Sequence, residues 1–267
     1  MMELAVDKIL EDTCRVARLA GAFIGNEAKS FHAGKVQVKG LHDFVSYVDK
    51  EAERICVEAL SKVLPEASFL TEEGTVEAVE GARYRWVIDP LDGTTNFIHG
   101  LPPYSVSIAL LDGDCPIVGV VYEVTLGECF YARKGGGAWL NGRQVSVSTR
   151  ETLADSLIAT GFPYNDFHRM APYLESLSYM LQHTHGARRL GSAAVDLAYV
   201  ACGRFEAFYE YSLKPWDVAA GVLLVQEAGG RVSDFRGGLS YIFGRELIAS
   251  NARVFDEVSG VVHKFLL

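Results

Sequence analysis

The residues with the clearest chemical potential lie in segment 86–97, which reads WVIDPLDGTTNF. An apolar run leads directly into Asp89, and Pro90 biases Asp89 away from helical backbone and sets the turn that follows. Asp92 comes three residues later, so the two carboxylates can converge on one hard cation. The carbonyl of Leu91, freed by the Pro-containing turn, is a candidate for a further oxygen ligand. The segment therefore predicts a divalent-cation site at the C-terminal end of a strand.

The three residues that follow are suited to an anion. Gly93 permits an unusual backbone angle, and Thr94 and Thr95 stand where a helix could begin. Exposed amides at a helix N-terminus, together with hydroxyl groups, form a good cradle for phosphate. A phosphate site next to the cation site is predicted.

Further acids occur in three other places. Glu72 and Glu73 follow an apolar pair, Asp217 precedes an apolar helix, and Asp49 lies near the start of another helix. In isolation, each has a plain structural interpretation as a solvated loop acid or a helix cap. Adjacent residues on an extended segment point in opposite directions, so at most one of Glu72 and Glu73 faces a cation directly.

Taken together, WVIDPLDGTTNF, the Glu72–Glu73 pair and PWDVAAGVLLVQEAGG at 215–230 resemble the inositol monophosphatase family of magnesium-dependent, lithium-sensitive phosphatases. The resemblance extends from Lys39 to about Gly230, and the order and spacing of the segments match. It implies two or three Mg²⁺ ions per site. Their implied ligands are Glu72, Asp89, the Leu91 carbonyl, Asp92 and Asp217, with Asp89 bridging two ions.

The resemblance also implies catalytic roles. Asp49 and Thr94 would hydrogen-bond and polarise the attacking water, and Glu73 would hold a water or a weaker third ion. The implied substrate-binding residues are Lys39, Gly93, Thr94, Thr95, Gly191, Ser192, Ala193 and Glu210.

Some of these assignments have structural alternatives. Lys39 could be a solvated loop lysine, and Glu210 a surface acid at the end of a strand. The Arg188–Arg189 pair could reach a substrate or a dimer partner, but paired arginines before a core helix are as often structural.

The expected activity is hydrolysis of inositol 1-phosphate, or a similar small polyol phosphate, to the alcohol and inorganic phosphate. Water polarised by the metal would attack directly, with inversion and no phosphoenzyme. A histidinol-phosphate or sugar-phosphate phosphatase on the same scaffold is an alternative. Thr95–Asn96 departs from the lysine–acid pair of related nucleotide phosphatases, which argues against that substrate class. A regulatory member that binds partners, like the bacterial relatives associated with the RNA machinery, is an alternative of another class.

The elements that must position these residues follow from the pattern. Apolar periodicity predicts helices at 4–24 and 46–64, with an extended hairpin over 31–40 between them. Short apolar runs from residue 84 onward predict an antiparallel meander, and the second half alternates strands and helices. The pattern indicates an α/β (α+β) fold, and the resemblance implies a layered αβαβα sandwich. We expect one domain over 1–267, with most metal ligands in 1–150 and Asp217 and substrate contacts in 151–267.

Composition narrows the protein's class. The 267 residues carry a formal charge of −9, which argues against non-specific nucleic-acid binding. Seven acids are assigned to the site above, and without them the formal charge of the protein would be −2. No apolar run could span a bilayer, and the five scattered cysteines form neither a disulfide framework nor a zinc motif. We expect a cytoplasmic protein and, from the resemblance, a homodimer.

Overall fold

The computed structural model describes residues 4–31, 36–40, 43–77, 81–164 and 166–267; for 36–40 and 43–46 it describes the backbone alone. Its helices are α1 (Val6–Glu27), α2 (Tyr47–Val63), α3 (Thr94–Ile98), α4 (Met170–His183), α5 (Ala193–Ala201), α6 (Pro215–Glu227) and α7 (Phe255–Leu266). Its strands are β1 (Val36–Gly40), β2 (Asp43–Ser46), β3 (Ser68–Thr71), β4 (Tyr84–Asp92), β5 (Ser105–Asp112), β6 (Cys115–Glu123), β7 (Glu128–Arg133), β8 (Ala138–Leu140), β9 (Arg143–Val145), β10 (Leu157–Thr160), β11 (Gly186–Arg188), β12 (Ala207–Tyr211), β13 (Gly230–Ser233) and β14 (Glu246–Asn251).

The larger sheet has seven strands in the order β3-β4-β5-β6-β7-β8-β9. Strands β4 to β9 pair antiparallel with their neighbours, so the predicted meander is confirmed. Strand β3 runs parallel to β4. Because parallel strands end at the same edge of a sheet, Glu72 after β3 and Asp89 near the end of β4 come together there.

The smaller sheet has five strands in the order β11-β10-β12-β14-β13. It is mixed: β10 is parallel to both neighbours, and β14 is antiparallel to β12 and β13. Glu210 lies near the C-terminal end of its central strand, β12.

Side chains of the larger sheet alternate between two helical layers. On β4, Trp86 and Ile88 pack with α1 and α2, whereas Val87 packs with α5 and α6. Helices α4 and α7 cover the other face of the smaller sheet. The layers are therefore α1/α2, larger sheet, α5/α6, smaller sheet and α4/α7, which confirms the predicted αβαβα sandwich.

Helix α6 occupies the central layer because it is apolar on every side. Its residues from Val218 to Val225 are all buried, as expected for a helix enclosed by two sheets. Asp217, in its first turn, and Glu227, at its last residue, are the acids of this helix.

The segment around Asp89 differs from the predicted turn. Strand β4 runs on through Pro90 to Asp92. Asp89 pairs with Ser107 and Asp92 with Ser105, so two residues of β4 stand opposite one residue of β5. This bulge, rather than a turn, re-aims the two carboxylates.

Other predicted boundaries shift by a few residues. The first helix, predicted over 4–24, is Val6–Glu27, and the second, predicted over 46–64, is Tyr47–Val63. The hairpin predicted over 31–40 consists of β1 paired antiparallel with β2, and residues 32–35 lie outside the described residues. Among the helices given above, none combines the length and the apolarity needed to cross a bilayer.

Candidate active site

A cavity of about 370 Å³ opens at the end of β4, beside the N-termini of α3, α5 and α6. Twelve of the predicted site residues line it: Glu72, Asp89, Leu91, Asp92, Gly93, Thr94, Thr95, Gly191, Ser192, Ala193, Glu210 and Asp217. So do Arg189, for which the sequence left a substrate contact open, and seven residues to which it had assigned no role: Gly161, Tyr164, Asp196, Ser212, Leu213, Lys214 and Trp216. The fold thus brings both halves of the chain to one cavity.

Four carboxylates form what we call the acid wall: Glu72, Asp89, Asp92 and Asp217. Asp89 is 2% exposed, and its Oδ1 accepts a hydrogen bond of 3.0 Å from the Leu91 N–H. Burial, and then the charges of the other three acids, raises the pKa of Asp89 well above its usual value. Burial also raises the pKa of Asp92 to about 6 and that of Asp217 well above its usual range. These acids resist being charged together in the absence of a counterion.

The acid wall has the chemistry that a hard divalent cation requires. All its donors are oxygens, and a cation between the carboxylates would remove their mutual repulsion. Asp89 and Glu72 also share a hydrogen bond, which requires a proton that a cation would displace. Within the described ranges, no three His, Cys, Asp or Glu side chains are already gathered around a single point. The acid wall therefore provides oxygen ligands of the kind that Mg²⁺ prefers, all within one cavity. To bind the ion, its carboxylates would have to move closer together.

Behind the acid wall, Asp49 and Thr94 form a pair. The Thr94 hydroxyl lies 2.9 Å from Asp49 Oδ1 and 3.0 Å from the Leu91 carbonyl oxygen. Asp49 is fully buried in the first turn of α2 and does not line the cavity. Residues 45 positions apart thus meet at the start of α3, as the predicted roles of Asp49 and Thr94 require.

Asp92 joins the two halves of the site. Its Oδ2 accepts hydrogen bonds from the Ser192 hydroxyl at 2.6 Å and the Ala194 N–H at 2.8 Å. It therefore caps the N-terminus of α5, and these bonds together with the Arg189 charge oppose the rise in its pKa. Asp92, which is predicted to bind a metal ion, therefore also fixes the start of α5, where residues predicted to bind substrate lie.

Sequence reasoning missed Glu53, which holds the loop after β3. Glu53 is fully buried on α2, and it accepts hydrogen bonds from the Thr71 hydroxyl at 2.9 Å and from the Glu73 N–H, the Thr75 N–H and the Thr75 hydroxyl at 2.7 Å each. The loop that carries Glu72 is thereby tied to α2. An acid on the buried face of an amphipathic helix was the available signal.

Asp217 caps the N-terminus of α6, which is the structural role considered for it in the sequence analysis. It also lines the cavity. Its Oδ2 accepts a 2.7 Å hydrogen bond from the Lys214 N–H at the start of α6. One carboxylate oxygen thus orients the side chain, and the residue still contributes to the acid wall.

Position 93 requires glycine for two reasons: its backbone conformation and the close approach of neighbouring carbonyl oxygens. Its φ of 96° is left-handed, and a Cβ would lie 3.1 Å from the Pro103 carbonyl oxygen and 3.2 Å from that of Gly191. It precedes α3, whose first amides have no acceptor within the helix. The chain can therefore turn so that Thr94 and Thr95 face the cavity.

Five further lining residues form what we call the mixed wall: Gly161, Tyr164, Arg189, Asp196 and Glu210. Glu210 is 8% exposed, and burial raises its pKa to about 8, although the Arg189 charge opposes the rise. The Glu210 carboxyl group packs directly over Gly161, where a Cβ would lie 2.0 Å from it. Glu210 is therefore a buried cavity residue and not a surface acid.

The Arg188–Arg189 pair divides its roles. Arg189 lines the cavity, whereas Arg188 is exposed on β11.

Asp196 could have been found from the sequence, because it is the one charged residue in the otherwise apolar helix AAVDLAYVA.

Besides Asp49, two of the predicted residues are not placed in the cavity. Glu73 does not line it, although its backbone is held by Glu53. Lys39 lies on β1, whose side chains are outside the described part of the chain. Their predicted roles stay predictions.

The αβαβα sandwich and the acid-lined cavity agree with the fold and the site that the sequence resemblance implies. The chain matches the inositol monophosphatase family over residues 5–263 and belongs to that family.

Its relatives include the Nus factor SuhB of Pseudomonas aeruginosa, 44% identical over 97% of each chain, and that of Escherichia coli K12, 43% identical over 92% of each. Similar solved structures are the extragenic suppressor protein SuhB of Bartonella henselae (TM-score 0.89, 39% identity, 96% of this chain and 98% of that one) and the IMPase of Thermotoga maritima (TM-score 0.87, 36% identity, 96% and 97%).

Proposed function

We propose that this protein is a magnesium-dependent phosphomonoesterase that hydrolyses inositol 1-phosphate or a similar small polyol phosphate. One observation carries the proposal: the acid wall and the N-terminus of α3 line the same cavity. A phosphate bound at the helix start would therefore lie against the carboxylates. Glu72, Asp89, the Leu91 carbonyl, Asp92 and Asp217 would hold Mg²⁺, which would neutralise charge and lower the pKa of a coordinated water.

The chain's own residues supply the remaining functions. The Thr94 and Thr95 amides would receive phosphate oxygens, as helix N-termini do. The Asp49–Thr94 pair would accept a hydrogen bond from the attacking water and hold it in line with the departing alcohol. Glu210 would contact a hydroxyl of that alcohol.

Hydrolysis would occur in one displacement. Water attacks phosphorus, the bond to the alcohol oxygen breaks, and configuration at phosphorus inverts. The family resemblance implies direct attack by water, so we expect a mechanism without a phosphorylated protein. Rapid quench with labelled substrate should trap no phosphoprotein, and trapping one would contradict this step.

The decisive assay is phosphate release from inositol 1-phosphate, histidinol phosphate and a sugar phosphate at matched Mg²⁺, with lithium as inhibitor. We expect the polyol phosphate to have the highest kcat/KM and all turnover to require the metal. A higher kcat/KM for histidinol phosphate or the sugar phosphate would establish the corresponding alternative.

A second candidate function is binding to a partner, because several relatives are named Nus factors. The wild-type chain and Asp89→Asn should both be tested for replacing SuhB in Escherichia coli. Replacement by a folded but inactive variant would favour the binding role, as would the absence of turnover on every monoester.

A further inference from the structure

Two side chains of the mixed wall contain buried atoms without hydrogen-bond partners. Asp196 is 1% exposed, and its Oδ1 accepts no hydrogen bond from the part of the chain that the structure describes. The Nε of Arg189 is likewise buried and finds no acceptor there. Both residues line the cavity. Buried polar groups are seldom left unpaired in native proteins, so each requires an explanation.

Neither residue is free to move to a better partner. The Arg189 Nη2 donates a 2.6 Å hydrogen bond to the Tyr164 hydroxyl, and the guanidinium lies 5.5 Å from the ring centres of Phe162 and Tyr164. Asp196 lies in the first turn of α5, which is capped by Ser192. Both groups are therefore held in place on the cavity wall.

Among the described residues, neither Asp196 Oδ1 nor Arg189 Nε forms a hydrogen bond that would stabilise the fold. A carboxylate taken out of water without a hydrogen bond is costly, and Glu210 and Asp92 add further negative charge close to Asp196. Apolar residues fill most of α5, so an apolar side chain would suit this helix better. The unpaired atoms are better explained by a ligand that pairs with both.

Their chemistry restricts what that ligand group is. Asp196 Oδ1 has no donor and Arg189 Nε has no acceptor in the described part of the chain, and both residues line the same cavity. An ammonium group would satisfy Asp196 but be repelled by Arg189. A carboxylate or second phosphate would have the reverse problem. A hydroxyl group both donates and accepts, so one hydroxyl can complement both atoms without charge repulsion.

We propose that Asp196 and Arg189 form a subsite that binds a hydroxyl of the departing alcohol, in addition to the hydroxyl predicted to meet Glu210. The inference rests on the proposed phosphatase function. It assigns two specificity-determining residues and favours substrates with several hydroxyls around the ester over amino-alcohol phosphates.

The test compares inositol 1-phosphate with cyclohexyl phosphate, which has the same ring without hydroxyls. The variants are Asp196→Ala, Asp196→Asn, which keeps one acceptor oxygen, and Arg189→Lys, which keeps the charge but lacks Nε. Asp256→Ala, in the first turn of α7 and far from the cavity lining, is the matched control.

Wild type should strongly prefer inositol 1-phosphate. Asp196→Ala should lower kcat/KM for it about 10–100-fold, the range expected for one hydrogen bond to a charged group. It should change kcat/KM for cyclohexyl phosphate less than about twofold. Asp196→Asn and Arg189→Lys should show the same selective loss to a smaller degree, and Asp256→Ala no loss.

Thermal unfolding provides a second measurement. Because Asp196→Asn removes a buried carboxylate without a partner, its Tm should rise. A lower Tm, or equal loss on both substrates, would show that Asp196 is structural and overturn the subsite alone. If wild type hydrolyses neither ester, the proposed function fails and this inference fails with it.

Discussion

The acid wall comes from short segments of the larger sheet and one helix start, whereas the mixed wall comes from the segments after β10 and β11, from helix α5 and from strand β12. Glu72, Asp89 and Asp92 occupy the ends of two adjacent parallel strands, and Glu53 holds the loop between them. The mixed wall instead has a glycine under Glu210 and two buried atoms that find no hydrogen-bond partner among the described residues.

This difference indicates a division of labour. The acid wall is supported by hydrogen bonds from behind, as expected of groups that must hold one cofactor in one geometry. The mixed wall presents unsatisfied groups, as expected of a surface completed by substrate. Changes in the acid wall should therefore affect metal binding and all substrates, and changes in the mixed wall should affect only the choice of alcohol.

The largest effect is expected from Asp89→Asn. Removing the most deeply buried charge of the acid wall should lower kcat/KM for every monoester by about 10³-fold, comparable with the loss of other electrostatic groups at active sites. In metal-free buffer its Tm should rise, because repulsion among the four acids falls. Asp112→Asn, on the same sheet, should keep full activity. Retained turnover in Asp89→Asn would contradict the assignment of the acid wall.

The next effect is expected from Glu53→Gln. An amide cannot accept at both positions, so the loop that carries Glu72 should loosen and the Mg²⁺ concentration for half-maximal activity should rise about 10–100-fold. Saturating Mg²⁺ should restore most of kcat. Glu51→Gln, on the exposed side of α2, is the control. Loss of kcat with an unchanged Mg²⁺ dependence would count against a positioning role.

A smaller effect, confined to the mixed wall, is expected from Gly161→Ala. The new methyl group would displace the Glu210 carboxyl group, so kcat/KM for inositol 1-phosphate should fall about 10-fold. The Mg²⁺ dependence should not change. Gly260→Ala in α7, where a Cβ meets nothing within 4 Å, should leave activity intact and add about 0.5–1 kcal/mol of stability. A shift in Mg²⁺ dependence in Gly161→Ala would show that the walls are not independent.

The smallest effect concerns pH. Burial raises the pKa of Glu210 from its ordinary value of 4.5 to about 8, so between these values the folded state holds a proton that the unfolded chain has released. Its contribution to stability is present below pH 4.5 and is lost as pH rises to about 8. The Tm of metal-free protein should fall by several degrees over this window. Glu210→Gln should flatten the decline and Glu58→Gln should not; an unchanged slope in Glu210→Gln would refute the assignment.

Much of the acid wall was predictable because its signals are local. Asp89, Asp92 and Gly93 lie within one short segment, and Pro90, Gly93 and the paired threonines constrain the backbone there. The order of apolar runs was likewise enough to predict the meander and an α/β (α+β) fold, whereas the αβαβα sandwich was implied by the family resemblance. The bulge in β4 was not predictable, because it depends on pairing with Ser105 and Ser107 of the next strand.

The sequence alone was therefore sufficient for the class of fold, the candidate metal ligands and the excess of acids that a cation would offset. Only the tertiary structure placed Glu53 behind the acid wall and Arg189, Tyr164 and Asp196 on the cavity. The physical reason is that these positions depend on packing between elements far apart in the chain. A single acid in an apolar helix face signals that Glu53 or Asp196 is unusual, but which groups surround that acid is known only from the tertiary structure.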